Sequence, residues 1–166
     1  MVGQVDEDYR TFARRRACHP TPFCSTKKRL VVIVLDTNVL SETLRAKPSA
    51  TVMRWLESQH EPFAITTITI GELLTGVRML PQGKRRTGLT AAIEQVLLRW
   101  AVSLPYDKVA ARIYAAMQEL AHKKGRGLSV EDGMIVAICA ANGASLATRN
   151  IADFDFLPIQ TASPWQ

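Results

Sequence analysis

Residues 30–35 read Leu-Val-Val-Ile-Val-Leu without interruption, and Asp36 follows at once. A short β-branched apolar run bounded by polar turn formers marks a strand buried on both faces, as in parallel sheets covered by helices. Parallel neighbours need long crossovers, so this one run already demands alternating strands and helices. The acid at its C-terminal end lies where open α/β sheets hold their ligands. Packing asks for no carboxylate there.

The rest of the chain supplies the alternation. Strands are expected at 31–35, 63–67, 102–104, 145–148 and 159–161. A short helix is expected at 39–45 and a second from Pro48-Ser49 to Gln59, with Val52, Trp55 and Leu56 on one face. A third carries Ile70, Leu73, Leu74 and Val77 at helical spacing until Pro81-Gln82-Gly83 breaks it. Further helices are expected at 86–100, with Leu89, Ile93, Val96, Leu97 and Trp100 inward, and at 108–124, ended by Gly125. The segment 130–142 is apolar on most sides and is expected to be central. These elements predict an α/β fold with a parallel sheet covered on both faces.

With 166 residues, 47% of them hydrophobic, the chain suits one domain. No apolar run approaches the ~20 residues of a membrane span, and a cytoplasmic protein with no membrane partner is expected. No GxGxxG or GxxxxGK[ST] loop occurs, which argues against the common nucleotide-binding folds. Three cysteines (Cys18, Cys24, Cys139) and three histidines (His19, His60, His122) show no metal-ligand spacing; Cys139 is expected in the core and the histidines at the surface.

The net charge of +6 is uneven, since residues 1–30 carry seven Lys/Arg against three Asp/Glu. Residues 1–29 lack periodicity and are expected to form a basic, disordered extension to a domain spanning 30–166. Natural translation starting near Val31–Val34 is one hypothesis for their character; an intact Met1 in protein from the native host, read by mass spectrometry, would sink it. Within the domain, Lys84-Arg85-Arg86 and Lys123-Lys124-Gly125-Arg126 are clusters suited to phosphate contact or to plain solvation.

Three further acids occupy positions like that of Asp36. Glu72 lies in the first turns of the helix after the second strand, Asp132 in the first turn of the central helix, and Asp153 beyond the fourth strand. Strand ends and following helix starts share one edge of a parallel sheet, so the four are expected to converge. Two carboxylates ~4 Å apart repel by about 4 kcal/mol at an effective dielectric of 20. Either some are protonated or a divalent cation holds them, and hard oxygen ligands suit Mg²⁺ or Mn²⁺ rather than Zn²⁺. Each acid also has a structural role open to it: Asp36 as a helix N-cap, Asp132 in the capping box begun by Ser129, Glu72 as a solvated helix position, Asp153 as a turn cap. Glu42, Glu131 and Asp155 are expected to be solvated.

Five segments in order carry a resemblance: Leu35-Asp36-Thr37-Asn38-Val39-Leu40-Ser41-Glu42, Thr69-Ile70-Gly71-Glu72-Leu73, the stretch from Leu80 to Arg86, Glu131-Asp132-Gly133-Met134, and Ala147-Thr148-Arg149-Asn150-Ile151-Ala152-Asp153-Phe154, with Pro164-Trp165 at the end. In these the chain resembles the PIN domain, and within it the VapC-like ribonuclease toxins of type II toxin–antitoxin pairs, close to the FitB-like branch. The resemblance covers 30–166. It implies a three-layer α/β/α sandwich and an Mg²⁺-dependent endoribonuclease, with Mn²⁺ as a substitute.

By that resemblance Asp36 and Asp132 hold the metal and Glu72 completes the site. Asp153 fits the TRNxxDF form, while some relatives carry the fourth acid where this chain has Asn150. Thr37, Asn38, Thr148 and Asn150 are expected to orient carboxylates or water, and Arg85, Arg86, Lys124 and Arg126 to hold RNA. The implied chemistry is attack of a metal-bound water on an RNA phosphodiester. The implied partners are a VapB-like antitoxin, a second copy of the chain, and DNA only through the antitoxin.

Two enzyme alternatives fail on residues: a haloacid-dehalogenase-type phosphatase needs a second Asp where Asn38 stands, and a phospho-receiver needs an early acidic pair. The remaining alternative is a catalytically weak PIN-like protein that binds an antitoxin in a DNA-binding regulatory complex. The RNA target is not legible from one sequence.

Overall fold

The computed structural model describes residues 32–99 and 102–166. The expected extension at 1–29, Leu30, Val31, Trp100, Cys18, Cys24 and His19 lie outside the described residues.

Five strands alternate with helices in chain order. They are β1 (Ile33–Leu35), α1 (Thr37–Thr43), α2 (Ala50–Ser58), β2 (Phe63–Thr66), α3 (Thr67–Arg78), α4 (Lys84–Arg99), β3 (Ser103–Leu104), α5 (Lys108–Lys123), α6 (Val130–Asn142), β4 (Ser145–Ala147) and β5 (Thr161–Ala162). A 3₁₀ turn, Ile151–Asp153, follows β4. The sheet order is β3-β2-β1-β4-β5 and every pair is parallel. The chain winds outward from β1 through β2 to β3, then crosses back to place β4 on the other side of β1. The reversal puts a topological switch point between β1 and β4, the place where open α/β sheets form their ligand crevice.

Strand alternation divides the interior into two cores. Ile33 and Leu35 of β1 face one side, with Val39 and Leu40 of α1, Val52 of α2, Leu73 and Val77 of α3 and Ile93 of α4. Val34 faces the other, with Ala64, Leu146, and α5 and α6 through Ile113, Met117, Ile135 and Ile138. Helices therefore cover both faces, the three-layer α/β/α arrangement. Leu35, Leu40, Ile65, Ile135, Ile138 and Leu146 are among the largest fully buried side chains. Each contributes about 1.5–3 kcal/mol of burial. Cys139 is a buried core residue, as its apolar setting implied, and burial pushes its thiol up. His60 and His122 are exposed.

Element ends differ from the sequence reading for local reasons. Helix α1 starts at Thr37 because the Asp36 side chain accepts from the Thr37 N–H (2.7 Å) and so caps it. The helix expected from about Thr69 starts at Thr67, where Thr66 caps it by accepting from the Thr69 N–H (3.0 Å). Helix α4 starts at Lys84, so the basic cluster forms its first turn. The last strand starts two residues later than expected, and Ile159 packs against the core instead. Gly143 ends α6 in the left-handed conformation at φ 63°, a geometry that costs any side chain with a Cβ.

Candidate functional site

Asp36 stands at the end of β1 with only 7% of its surface exposed, and three donors converge on its carboxylate. Oδ1 accepts from the Thr37 N–H; Oδ2 accepts from Asn38 Nδ2 (2.6 Å) and from Thr148 Oγ1 (2.7 Å). Thr148 follows β4, so its hydroxyl bridges the switch point. The amide of Asn38 also donates to Thr148 Oγ1 (3.2 Å) and its Oδ1 accepts from the Arg149 N–H (3.1 Å), while Thr148 Oγ1 accepts from the Asn150 N–H (3.2 Å). The Asp-Thr-Asn and Thr-Arg-Asn segments thus form one hydrogen-bonded unit.

Glu72 projects from the second turn of α3 and is half-buried. Its Oε2 accepts a short hydrogen bond from Thr37 Oγ1. Asp132 lies in the first turn of α6, where its Oδ2 accepts from Ser129 Oγ (2.8 Å) and its N–H donates to the same hydroxyl (3.0 Å). The capping role open to Asp132 is therefore real, and it leaves Oδ1 without a hydrogen bond among the described residues.

The three acids share one field. Burial is the main reason the Asp36 carboxyl is held above its ordinary 3.8; the Asp132 charge adds to it, and the Thr148, Thr37 and Asn38 donors oppose it. Burial is also the first cause raising Glu72 above 4.5, with the charges of Asp36, Asp132 and Glu131 adding and the Thr37 hydroxyl opposing. Asp153 is exposed at the end of the 3₁₀ turn, and among the described residues its carboxylate accepts no hydrogen bond.

The basic residues expected at the RNA make contacts of their own within the fold. Arg126 donates to the Ala152 carbonyl (2.5 Å), pairs with Asp155 (3.2 Å) and lies 4.8 Å over the Phe156 ring. Lys124 donates to the Phe156 carbonyl (3.3 Å). Both therefore fasten the loop that carries Asp153 to the turn between α5 and α6. Arg85 is exposed on the first turn of α4, and Arg86 reaches back to the Leu80 carbonyl (3.5 Å). Of the acids expected to be solvated, Glu131 and Asp155 are exposed, Asp155 while pairing with Arg126, but Glu42 is buried, accepting from the Ser49 N–H (2.9 Å) and from Arg45 (3.0 Å). Unread in the sequence was Arg149, which lies inside the Thr148–Asn150 segment and stacks on Trp165 at 5.5 Å.

Among the described residues no three His, Cys, Asp or Glu side chains converge closely enough to form a metal cage. Mg²⁺ asks for less, since it is commonly held by one or two carboxylates and keeps several waters. Glu72 Oε1 and Asp132 Oδ1 accept no hydrogen bond among the described residues, and Asp36 retains part of its acceptor capacity. An all-oxygen donor set with free carboxylate oxygens fits a hydrated hard cation.

Comparison with known proteins shows the family. The chain is 37% identical over 140 residues to the plasmid stability protein StbB of Pseudomonas syringae pv. tomato, covering 81% of this chain and 99% of that one. It is 36% identical over 138 residues to the VapC ribonuclease Y4jK of Sinorhizobium fredii, with the same coverage. The crystal structure of FitAcB from Neisseria gonorrhoeae superposes with a TM-score of 0.75 at 35% identity, over 81% of this chain and 99% of the other. Residues 33–156 match the PIN domain, and the chain belongs to that family.

Proposed function

We propose that this protein is a metal-dependent endoribonuclease, the toxin of a type II toxin–antitoxin pair. The observation that carries the reading is the Asp36 carboxylate, buried at the switch point yet kept hydrogen-bonded and within the field of Glu72 and Asp132. Capping α1 needs one carboxylate oxygen; Thr148 and Asn38 both donate to the other, which a cap alone does not ask for. The name of the Sinorhizobium relative, a VapC ribonuclease, supports RNA as the substrate.

Asp36, Asp132 and Glu72 would hold the cation, Mg²⁺ or Mn²⁺, with Asp153 as the fourth acid and Asn150 a neutral neighbour. A cation bound there supplies Lewis acidity at the phosphate and a more acidic water. The chain's own groups do the rest. Thr148, Asn38 and the Thr37 N–H fix the Asp36 carboxylate in one orientation, and Thr37 Oγ1 does so for Glu72. Glu72, oriented by the Thr37 hydroxyl, would accept a proton from the attacking water. Arg85 and Arg86, cations in the first turn of α4 where the helix dipole disfavours them, are suited to the RNA backbone. Lys124 and Arg126 act on RNA only with the charge their loop contacts leave exposed.

The partners proposed are a VapB-like antitoxin that covers the acids, a second copy of the chain, and promoter DNA through the antitoxin, all in the cytoplasm. No helix among the described residues is long and apolar enough to cross a membrane.

The test is cleavage of total cellular RNA by the full chain with Mg²⁺, Mn²⁺ or EDTA, beside Asp36→Asn. Discrete fragments that need metal and fall more than ~100-fold in the variant are expected, because even residues that merely orient ligands cost 10–100-fold. Undiminished cleavage by Asp36→Asn would overturn the assignment. Neither cleavage nor metal binding would favour the antitoxin-binding reading.

A further inference from the structure

Arg149 sits in the middle of the hydrogen-bonded unit that holds Asp36, yet its side chain takes no part in that unit. Its backbone N–H donates to Asn38 Oδ1 (3.1 Å), one residue removed from the Asp36 carboxylate that Asn38 also holds. Its guanidinium lies 5.5 Å from the Trp165 ring. Trp165 follows β5, which is parallel to β4, so both residues leave the sheet at the edge where Asp36 stands. Trp165 itself is anchored against the core that holds Leu35 and Leu40.

The two arginines near this edge differ in their partners. Arg126 is neutralised by Asp155 and spends a further donor on the Ala152 carbonyl. Arg149 is exposed and pairs with no acid among the described residues. Stacking on an aromatic face holds a guanidinium in one plane and leaves its in-plane N–H groups free, the form in which arginine binds phosphate through two parallel hydrogen bonds. A cation carried on the segment that holds Asp36, and paired with no acid among the described residues, offsets the repulsion that the acids impose on a polyanion.

Resting on the ribonuclease reading above, we propose that Arg149 is a substrate-binding residue of this site. Its guanidinium takes a backbone phosphate of the RNA next to the cleaved bond, and Trp165 is the positioning residue that keeps it flat and ready. The contact is sequence-independent, because phosphate contacts position a nucleic acid without reading its bases.

The test uses the full chain carrying Asp36→Asn, so that bound RNA stays intact, with Mg²⁺ and a labelled random-sequence RNA oligonucleotide. Binding is measured over a series of salt concentrations. Adding Arg149→Ala is expected to weaken binding at least about tenfold and to lower the salt slope by roughly 0.7, the value of one single-strand phosphate contact. Arg149→Lys restores the slope but only part of the affinity, since it keeps the charge and loses the planar fork. Trp165→Leu weakens binding with the slope unchanged. Arg149→Ala retains the backbone N–H that Asn38 accepts, so the site's framework survives the substitution.

An unchanged affinity and slope in Arg149→Ala, with only a lowered melting temperature, would make Arg149–Trp165 a clamp on the C-terminus and overturn the proposal alone. No RNA binding by the Asp36→Asn parent would instead bring down the ribonuclease reading together with it.

Discussion

Thr148 Oγ1 donates to Asp36 Oδ2 at 2.7 Å across 112 residues of sequence, joining the ends of β1 and β4. This bond stabilises the charged form of a carboxylate that burial disfavours. Thr148→Val keeps the shape and removes the donor, leaving the Asn150 N–H without its acceptor as well. A loss of about 1.5–3 kcal/mol is expected from a hydrogen bond to a charged group. Mg²⁺ affinity should fall 10–100-fold, as for other residues that orient a ligand. Denaturant unfolding and metal titration check both, and Thr148→Ser should recover most of each; a Val variant with native stability would show the bond to be idle.

Glu72 carries the opposite liability. Its carboxyl is raised above 4.5 by burial first and by the charges of Asp36, Asp132 and Glu131 next. A raised carboxyl means that the folded protein binds its proton more tightly than the unfolded chain does. The ionised group therefore destabilises the metal-free fold above its folded pKa, and that penalty disappears as the pH drops below 4.5. Glu72→Gln still accepts from Thr37 and sheds the charge. In EDTA at neutral pH it should melt higher than the parent, by less than the ~2–4 °C that one kcal/mol is worth at this length, because solvent screens a half-buried group in part. The gap should close below pH 4.5 and reverse with Mg²⁺. Thermal melts at three pH values decide it; a lower melting temperature for Glu72→Gln in EDTA would contradict the shared field.

Much of this was open to the eye in the sequence, for reasons that differ by residue. The run ending at Leu35 and the even apolar wrap of α6 fixed a two-sided parallel sheet, since nothing else buries such segments. Asp36 was visible because an acid after a buried strand has no packing explanation. The cap of α1 was an open alternative, and the structure shows that the Asp36 carboxylate makes it. Glu42 was misjudged, and the loop contacts of Arg126 and Lys124 were not foreseen, because their partners lie on loops, whose geometry follows no periodicity: a carboxylate reaching the Ser49 N–H or a guanidinium over Phe156 leaves no repeating mark. Arg149 was passed over although it lies inside a motif already under scrutiny. An arginine flanked by two hydrogen-bonding residues at a strand end is a signal that sequence alone offers.

Gly133, next to Asp132, has no freedom to grow. A Cβ there would come 2.7 Å from Tyr114 Cε2 and 3.0 Å from Gln118 Nε2. Glycine costs a helix interior about 1 kcal/mol relative to alanine, so an open position would gain from the exchange. Here Gly133→Ala should instead destabilise by about 1–3 kcal/mol, the range for an overpacked contact, and displace the start of α6 with Asp132 on it. Adding Tyr114→Leu should return part of that loss, a non-additivity measurable in a double-mutant cycle. Stabilisation by Gly133→Ala alone would show that the ring moves aside freely.

Glu42 tests whether a buried acid outside the site is held by its charge or by an amide. It lies in the last turn of α1, where the helix dipole disfavours a negative group, and is 6% exposed. Its two partners are unequal. Arg45 is 64% exposed on its side chain, and such pairs contribute about 0–1 kcal/mol. The Ser49 N–H begins α2, which has no side-chain cap of its own, and Glu42 Oε1 is its acceptor at 2.9 Å. Glu42→Ala leaves that amide unpaired and should cost about 1–3 kcal/mol. Arg45→Ala should cost under ~1 kcal/mol. Glu42→Gln, which keeps an oxygen for Ser49, should fall between them. Unfolding in urea ranks the three; equal losses for Glu42→Ala and Arg45→Ala would return the weight to the ion pair.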